Sequence, residues 1–119
     1  MGVYLHMKTY ILRFRAVDKK NFDEVKNGSK SIETRAATVK YQPIEVGDTL
    51  TFTCGSERLS KKVVQRRHFQ GIDAMVAEIP YKKIMPSVAS VEEMKKAYAS
   101  YAGYEDKIRE FGILAFDLE

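Results

Sequence analysis

The sequence predicts an α+β fold, in which a small mixed or antiparallel β-barrel of about five strands is flanked by short helices. Five short segments alternate apolar and polar residues, as half-buried strands do. Three or four other segments have helical spacing with capping signals. The strands do not alternate regularly with long crossover helices, which disfavours a parallel doubly wound sheet.

The first strand and helix have clear local signals. Residues 10–15 alternate between two faces and predict a strand. A helix should follow over residues 19–27, with Asp18 as its N-cap and with Val17 and Phe22 as the two ends of a hydrophobic staple. Gly28 supplies the left-handed residue that ends the helix.

Four further strands are predicted from alternation and from the turn residues between them. The second covers Ser31 to Arg35, and the third begins after the turn at Val46-Gly47-Asp48. A hairpin loop then leads to a long fourth strand, and an apolar strand closes the chain. The last three strands are predicted over residues 49–54, 59–68 and 113–118.

The C-terminal half contains the clearest helix signal. Ser90 and Glu93 form a capping box, and they are followed by apolar and aromatic residues at helical spacing, which predict a core-facing stripe. The stripe consists of Val91, Met94, Tyr98 and Tyr101. Residues 72–79 are an ambiguous short helix, and residues 104–111 are a brief helix that stops at Gly112.

Length and composition predict one soluble domain spanning residues 1–119. Hydrophobic residues make up 45% of the chain and charged residues 30%, but no apolar run approaches the roughly 20 residues needed to cross a bilayer. The N-terminus lacks the pattern of a signal peptide, so we expect a cytoplasmic protein without a membrane partner. Cys54, the single cysteine, fits a core position and excludes an internal disulfide. We expect neither a metal site nor a cofactor.

The positive charge is concentrated on two predicted strands. The net charge is +4, which favours polyanions without identifying one. The first strand carries Arg13 and Arg15, and the long fourth strand carries the rest of the cluster, which is Lys61, Lys62, Arg66, Arg67 and His68. If the two strands are neighbours, they form one basic face.

The segment from Phe22 to Arg35 resembles the signature of ASCH domains, G-x-K-x-x-E-x-R, placed between a helix and a strand. The similarity continues through the Gly47-Asp48 turn and into the tail from Gly103 to Phe116, so it spans nearly the whole chain. This resemblance implies a PUA-like β-barrel and a role in RNA binding, RNA processing or nucleoside chemistry.

The signature residues also suggest a binding site without the family name. Gly28 presents Lys30 at the start of a strand on which Glu33 and Arg35 point to one side. Lys30 and Arg35 can hold an anion, while Glu33 can accept from an exocyclic amine or act as a general base. The alternative is an ordinary ion pair of Glu33 and Arg35 on a barrel rim, with a solvated Lys30.

Three aromatic or imidazole side chains lie outside this cluster. Tyr41 could stack on a base, or it could serve packing alone. His68 is interpreted as a surface residue beside cations, and His6 is given no role.

The leading hypothesis is an RNA-binding module that takes RNA, or a nucleoside or nucleotide, in the cleft at Lys30, Glu33 and Arg35. The basic side chains that would follow the RNA backbone are Arg13, Arg15, Lys62 and Arg66. A regulatory protein-interaction adaptor is a further alternative, because ASCH domains occur within transcription coactivators.

A second alternative is a metal-independent hydrolase, either a ribonuclease or an amidohydrolase. Some ASCH-like proteins resembling this one hydrolyse N4-acetylcytidine with a lysine at the position of Lys30, a threonine three residues later and a distant glutamate. Here Glu33 stands at the threonine position, and the glutamate position falls near Ser87. Lys30 and Glu33 remain the catalytic candidates, but the expectation is that Lys30 is a cationic anchor and that hydrolysis does not occur.

Overall fold

The structure is a computed structural model that describes residues 7–119. Five strands are present: β1 (Thr9–Phe14), β2 (Ile32–Ala36), β3 (Thr49–Cys54), β4 (Glu57–Phe69) and β5 (Ile113–Leu118). Four short helices flank them: α1 (Lys19–Asn27), α2 (Ile72–Glu78), α3 (Val91–Ala99) and α4 (Tyr104–Phe111). Single 3-10 turns occupy Ala16–Asp18 and Tyr81–Lys83. The predicted α+β class is confirmed.

The strands form one curled sheet in the order β1-β3-β4-β5-β2. The pair β1/β3 is parallel and the other pairs are antiparallel, so the sheet is mixed. The long strand β4 pairs with β3 over residues 57–62 and with β5 over residues 63–69, with an irregularity between Val63 and Gln65. Because a bulge bends its strand, β4 curls the sheet into a half-barrel that ends in β1 on one side and β2 on the other.

Two hydrophobic clusters fill the interior. The first lies between α1 and the β1-β3 side of the sheet and includes Phe22, Phe52 and the predicted core residue Cys54. The second lies between the other half of the sheet and the C-terminal helices, and it contains Met94 and Tyr98 of the predicted stripe. The capping box is confirmed, since the Ser90 hydroxyl accepts from the Glu93 N–H at 3.2 Å.

The start of α1 differs from the prediction. Val17 is 80% exposed while Phe22 is buried, so the two do not form a staple. Asp18 makes no side-chain capping bond and instead pairs with Arg15 at 2.8 Å. A 3-10 turn precedes α1 and turns Val17 towards solvent. None of the helices within residues 7–119 is long and apolar enough to span a bilayer.

Candidate functional site

Gly28, the glycine of the signature, ends α1 and sets the direction in which the chain continues to β2. Gly28 has φ of +86°, a left-handed conformation that favours glycine, and its N–H bonds the Val25 carbonyl. The N–H of Lys30 then bonds the carbonyl of Glu24 at 3.0 Å. These bonds turn the lysine side chain inward, and Lys30 is only 7% exposed.

Lys30, Glu33 and Arg35 form a buried ion cluster. Glu33 accepts with both carboxylate oxygens: Oε1 lies 3.3 Å from Lys30 Nζ, and Oε2 lies 2.8 Å from Arg35 Nε. Lys30 Nζ also donates to the Ile84 carbonyl at 2.6 Å. The ion pair of Glu33 and Arg35 that the alternative interpretation expected is therefore present, but its solvated Lys30 is wrong, because the lysine is buried and bonded on two sides.

Arg35 is held between two aromatic rings. Its guanidinium carbon lies 5.6 Å from the ring centre of Phe14 and 5.5 Å from that of Tyr41. Nη1 also donates to the Tyr41 hydroxyl at 3.3 Å. Burial works against the charged form, but the Glu33 carboxylate and the Tyr41 hydroxyl outweigh burial and raise the pKa of Arg35. Tyr41 therefore holds the Arg35 guanidinium in place, through its ring and through its hydroxyl.

Three tyrosines face the ion cluster. Tyr98 and Tyr104 have parallel rings with centroids 6.1 Å apart, and Tyr101 packs edge-on against Tyr104 at 5.6 Å. The Tyr98 hydroxyl is hydrogen-bonded to the hydroxyl of Thr34, and the Tyr104 hydroxyl accepts the Ala36 N–H at 2.8 Å. Because that bond uses a lone pair and the Tyr104 hydroxyl donates to no group among residues 7–119, its hydrogen can be donated to a ligand.

The three tyrosine hydroxyls are protonated at neutral pH, because the ordinary pKa of tyrosine is near 10 and burial raises it further. Burial is the main cause that raises the pKa of Tyr104 to about 12, and it also raises the pKa of Tyr98 and of Tyr101. At neutral pH all three can donate a hydrogen bond. The sequence predicts Tyr98 and Tyr101 in a core-facing stripe and Tyr104 at the start of a helix; their common spacing of three, at positions 98, 101 and 104, is the signal that groups them.

The ion cluster and the tyrosines enclose a cavity of about 230 Å³. It lies where the sheet does not close, because β1 and β2 are the two ends of the strand order and are not paired with each other within residues 7–119. The two edge strands contribute Arg13, Phe14, Glu33, Thr34 and Arg35 to its lining, and Arg15, just after β1, also lines it. The rest of the lining consists of Asp18, Asn21, Lys30, Met85 and the three tyrosines.

The cavity carries more donors than acceptors. Lys30 and Arg35 bring two positive charges against the one negative charge of Glu33, whose oxygens are already bonded to both cations. Asp18, at the mouth, is paired with Arg15. A ligand that presents hydrogen-bond acceptors or a negative charge is therefore favoured over one that presents amino groups.

The structure separates the predicted basic residues into two groups. Strand β3 lies between β1 and β4, so the condition for one basic face, that the two basic strands are neighbours, is not met. Arg13 and Arg15 line the cavity. Lys62 pairs across the sheet with Thr49, at the end of β3 away from Arg13.

Arg66 has a local structural contact. Its Nε donates to the Ile44 carbonyl at 2.8 Å, and Nη2 donates to the Gln42 carbonyl at 3.0 Å. These bonds hold the loop that follows β2, and Arg66 does not line the cavity.

His68 does not line the cavity. His68 is exposed on β4, where Nε2 lies 2.9 Å from the Phe111 carbonyl, and His6 falls outside the described residues. Between residues 7 and 119, the His, Cys, Asp and Glu side chains form no group of three that could hold a metal ion.

Comparisons with known proteins identify the fold but no family. No protein-family model matches the chain, and no curated protein matches it. The crystal structure of the hypothetical protein PH0355 is similar over 95% of this chain and 98% of that one, with a TM-score of 0.81 and 26% identity. The solution structure of protein PF0455 from Pyrococcus furiosus is similar over 93% and 96%, with a TM-score of 0.74 and 23% identity.

Proposed function

We propose that this protein is an ASCH domain of the PUA-like type and that it binds a nucleoside, free or as an unpaired base of RNA, in the cavity between β1 and β2. One observation carries this proposal: a buried cluster with a net positive charge faces a wall of three tyrosines across a cavity. The signature Gly28 to Arg35 supports the family assignment, because it spans the end of α1 and the start of β2.

The size of the cavity supports a ligand no larger than one nucleoside. Its volume of about 230 Å³ lies below the roughly 300 to 1,000 Å³ of pockets that take drug-sized molecules. A single planar base can enter, with its sugar towards the mouth at Arg13 and Arg15.

The aromatic side chains that line the cavity favour an aromatic ligand. Tyr101 and Tyr104 are partly exposed and offer ring surface, Tyr98 is buried behind Tyr104, and Met85 adds a flexible apolar contact. Stacking of a base on an aromatic side chain contributes about 1 to 3 kcal/mol. A sugar or an amino acid without a ring would gain little from this wall.

The donors determine which edge of the base is bound. The guanidinium of Arg35 has five N–H groups, of which the structure assigns one to Glu33 and one to Tyr41. Tyr104 adds a free hydroxyl hydrogen. Carbonyl oxygens and unprotonated ring nitrogens of a base accept from such groups, so uracil, with two carbonyls, and the O2/N3 edge of cytosine fit best.

Isothermal titration calorimetry with the four ribonucleosides tests the proposal. We expect a pyrimidine nucleoside to bind, and we expect Arg35→Ala to weaken its binding at least tenfold because a charged donor at the ligand is lost. Lys19→Ala is the control, since Lys19 lies in α1, is exposed and pairs with Asp23 and Glu57.

A second variant distinguishes a loss of ligand binding from a loss of the fold. Tyr101→Ala removes one aromatic surface of the cavity and leaves the Lys30-Glu33-Arg35 contacts in place, so it should weaken binding while its circular dichroism spectrum stays unchanged. The proposal is wrong if no nucleoside binds, or if both cavity variants bind as tightly as Lys19→Ala.

A further inference from the structure

The outer face of the β1-β3-β4 ribbon carries basic side chains in register. Arg13 pairs with Thr53, which pairs with Arg58, so these three side chains project to the same side of the sheet. Thr9, Thr49 and Lys62 form a second row on that side, by the same pairing. The neighbouring row Leu12, Phe52 and Leu59 points into the core.

The basic side chains of this face have no ion-pair partner within the described part of the chain. Arg13, Arg58 and Lys62 are exposed, and no carboxylate lies within 4.0 Å of their charged atoms among residues 7–119. By contrast, Arg67, farther along β4, is paired with Asp117.

Acidic side chains are nearly absent from this face. Strands β1 and β3 contain none, and Glu57 of β4 pairs with the buried Cys54, so it lies on the other side of the sheet. Glu119 exchanges two backbone hydrogen bonds with Lys62 and thus stands opposite it. The positive charge is therefore strongest in the row of Arg13 and Arg58.

This row begins at the cavity. Arg13 belongs both to the outer face and to the lining of the cavity, and Arg15 lies beside it at the mouth. Arg58 stands two strands away, at roughly 10 Å from Arg13, and Lys62 is a further 13 Å or so along the sheet, given ordinary strand spacings. A chain of phosphates that leaves the cavity at Arg13 can continue along this surface.

We propose that the outer face at Arg13, Arg58 and Lys62 binds the phosphate backbone of a single-stranded polynucleotide, one base of which occupies the cavity. The inference rests on the proposed function, because it takes the cavity to hold a nucleoside unit. It extends that function in giving the path of the polymer's phosphate backbone and in assigning a role to Arg58. A single strand is required because a paired base is not free to enter an enclosed cavity.

The test compares a uridine dodecamer with free uridine in calorimetric titrations at two salt concentrations. The dodecamer should bind more tightly than uridine, and its affinity should fall with salt, because each phosphate contact adds about 0.7 to the slope of log K against log salt. Arg58→Ala should weaken dodecamer binding by about two- to fivefold at low salt, reduce that slope by about 0.7 and leave uridine binding unchanged.

Arg109→Ala is the matched control. Arg109 is also an exposed arginine, but it lies on α4 beside Ile72 and pairs with Asp106. A thymidine deoxydodecamer distinguishes the two sources of the same phosphate chemistry. Tighter binding of the uridine strand assigns RNA, and tighter binding of the thymidine strand assigns single-stranded DNA.

Two results would overturn the inference and identify which proposal fails. If uridine binds but the dodecamer binds no more tightly, or if Arg58→Ala behaves as Arg109→Ala does, the outer face is not a backbone site and the cavity proposal stands. In the second result, the dodecamer binds through Arg58, but uridine does not bind and Tyr101→Ala has no effect. The cavity is then not on the path of the strand. Both the nucleoside site and the polynucleotide site that includes the cavity are then wrong.

Discussion

At the scale of single residues, Glu33 neutralises part of a charge that would otherwise be costly to bury. It is 3% exposed and bonds Lys30 and Arg35 with separate oxygens. Removing one member of a buried ion cluster leaves the others without compensation. The cluster thus serves both the fold and the site, and its variants must be examined for stability as well as for binding.

We expect Glu33→Gln to lower the free energy of unfolding by about 3 kcal/mol, because two cations lose their buried countercharge. Glu57→Gln is a matched control, since Glu57 also bridges two lysines, Lys19 and Lys26, but is 40% exposed. Solvent screens that pair, so the control should change stability far less. Urea denaturation measures both; equal losses would show that burial of Glu33 has no energetic consequence.

Lys30 has the contacts of a cationic anchor. A base or nucleophile needs a free lone pair, whereas Lys30 Nζ lies against the Glu33 carboxylate and donates to the Ile84 carbonyl. We therefore expect no turnover when N4-acetylcytidine is incubated with the protein and the products are separated by chromatography. Release of cytidine that is abolished by Lys30→Ala would place the protein among the hydrolases.

Tyr104 makes the free energy of unfolding depend on pH in the alkaline range. Burial raises its pKa to about 12, so between pH 10 and pH 12 the unfolded chain releases this proton while the folded protein retains it. The corresponding stability is complete below pH 10 and is lost as the pH rises to 12. The unmodified protein should lose about 2 kcal/mol more than Tyr104→Phe over this interval in urea denaturation. Parallel curves for the two proteins would contradict this assignment.

At the scale of elements, Gly112 fixes the approach of α4 and β5 to the end of β4. It has φ of +83° and ψ of −169°, a region that is essentially restricted to glycine. A Cβ at this position would lie 2.5 Å from the Phe69 carbonyl oxygen and 2.6 Å from His68 Nε2. The absence of a side chain is what lets the two strands meet.

Gly112→Ala should therefore destabilise the protein by more than about 3 kcal/mol, through backbone strain together with the clash. Gly103→Ala is the control: Gly103 also has positive φ, at +71°, but nothing lies within 4 Å of the added Cβ. It should cost about 1 to 2 kcal/mol. Thermal or urea unfolding measures the difference, and a Gly103 variant at least as unstable as the Gly112 variant would contradict it.

Elements with local signals were predictable from the sequence. Alternation identified β3 and β5, and the Ser90 cap identified α3, since these patterns depend on residues near each other in the chain. The hydrophobic staple at Val17 is absent because a 3-10 turn precedes α1 and leaves Val17 exposed. The apolar spacing of Val17 and Phe22 does not show how the turn before α1 orients the Val17 side chain.

The site was predictable only in part, for the same reason. Lys30, Glu33 and Arg35 were found because they lie within six residues of one another. Their burial, and the tyrosines at positions 98–104, depend on which elements pack across the sheet. The separation of Lys62 from Arg13 likewise follows from the strand order, which places β3 between β1 and β4.

At the scale of the whole molecule, the cavity exists because the barrel is not closed. In a closed barrel, β1 and β2 would be joined by backbone hydrogen bonds. Here the gap between them holds the ion cluster, the tyrosines and the start of the basic face. The two hydrophobic clusters on either side stabilise the edge strands. The half-barrel thus combines a stable interior with an open seam where a base can enter.

Chemical shift perturbation in ¹⁵N–¹H spectra on addition of uridine tests this account most directly. We expect saturable shifts in the amide signals of Thr34, Arg35, Tyr101 and Tyr104, which surround the cavity, and none in those of Ile72 and Arg109, which line a separate hollow. Unchanged cavity signals at saturating uridine, or shifts confined to that hollow, would contradict the assignment of a nucleoside to the open seam.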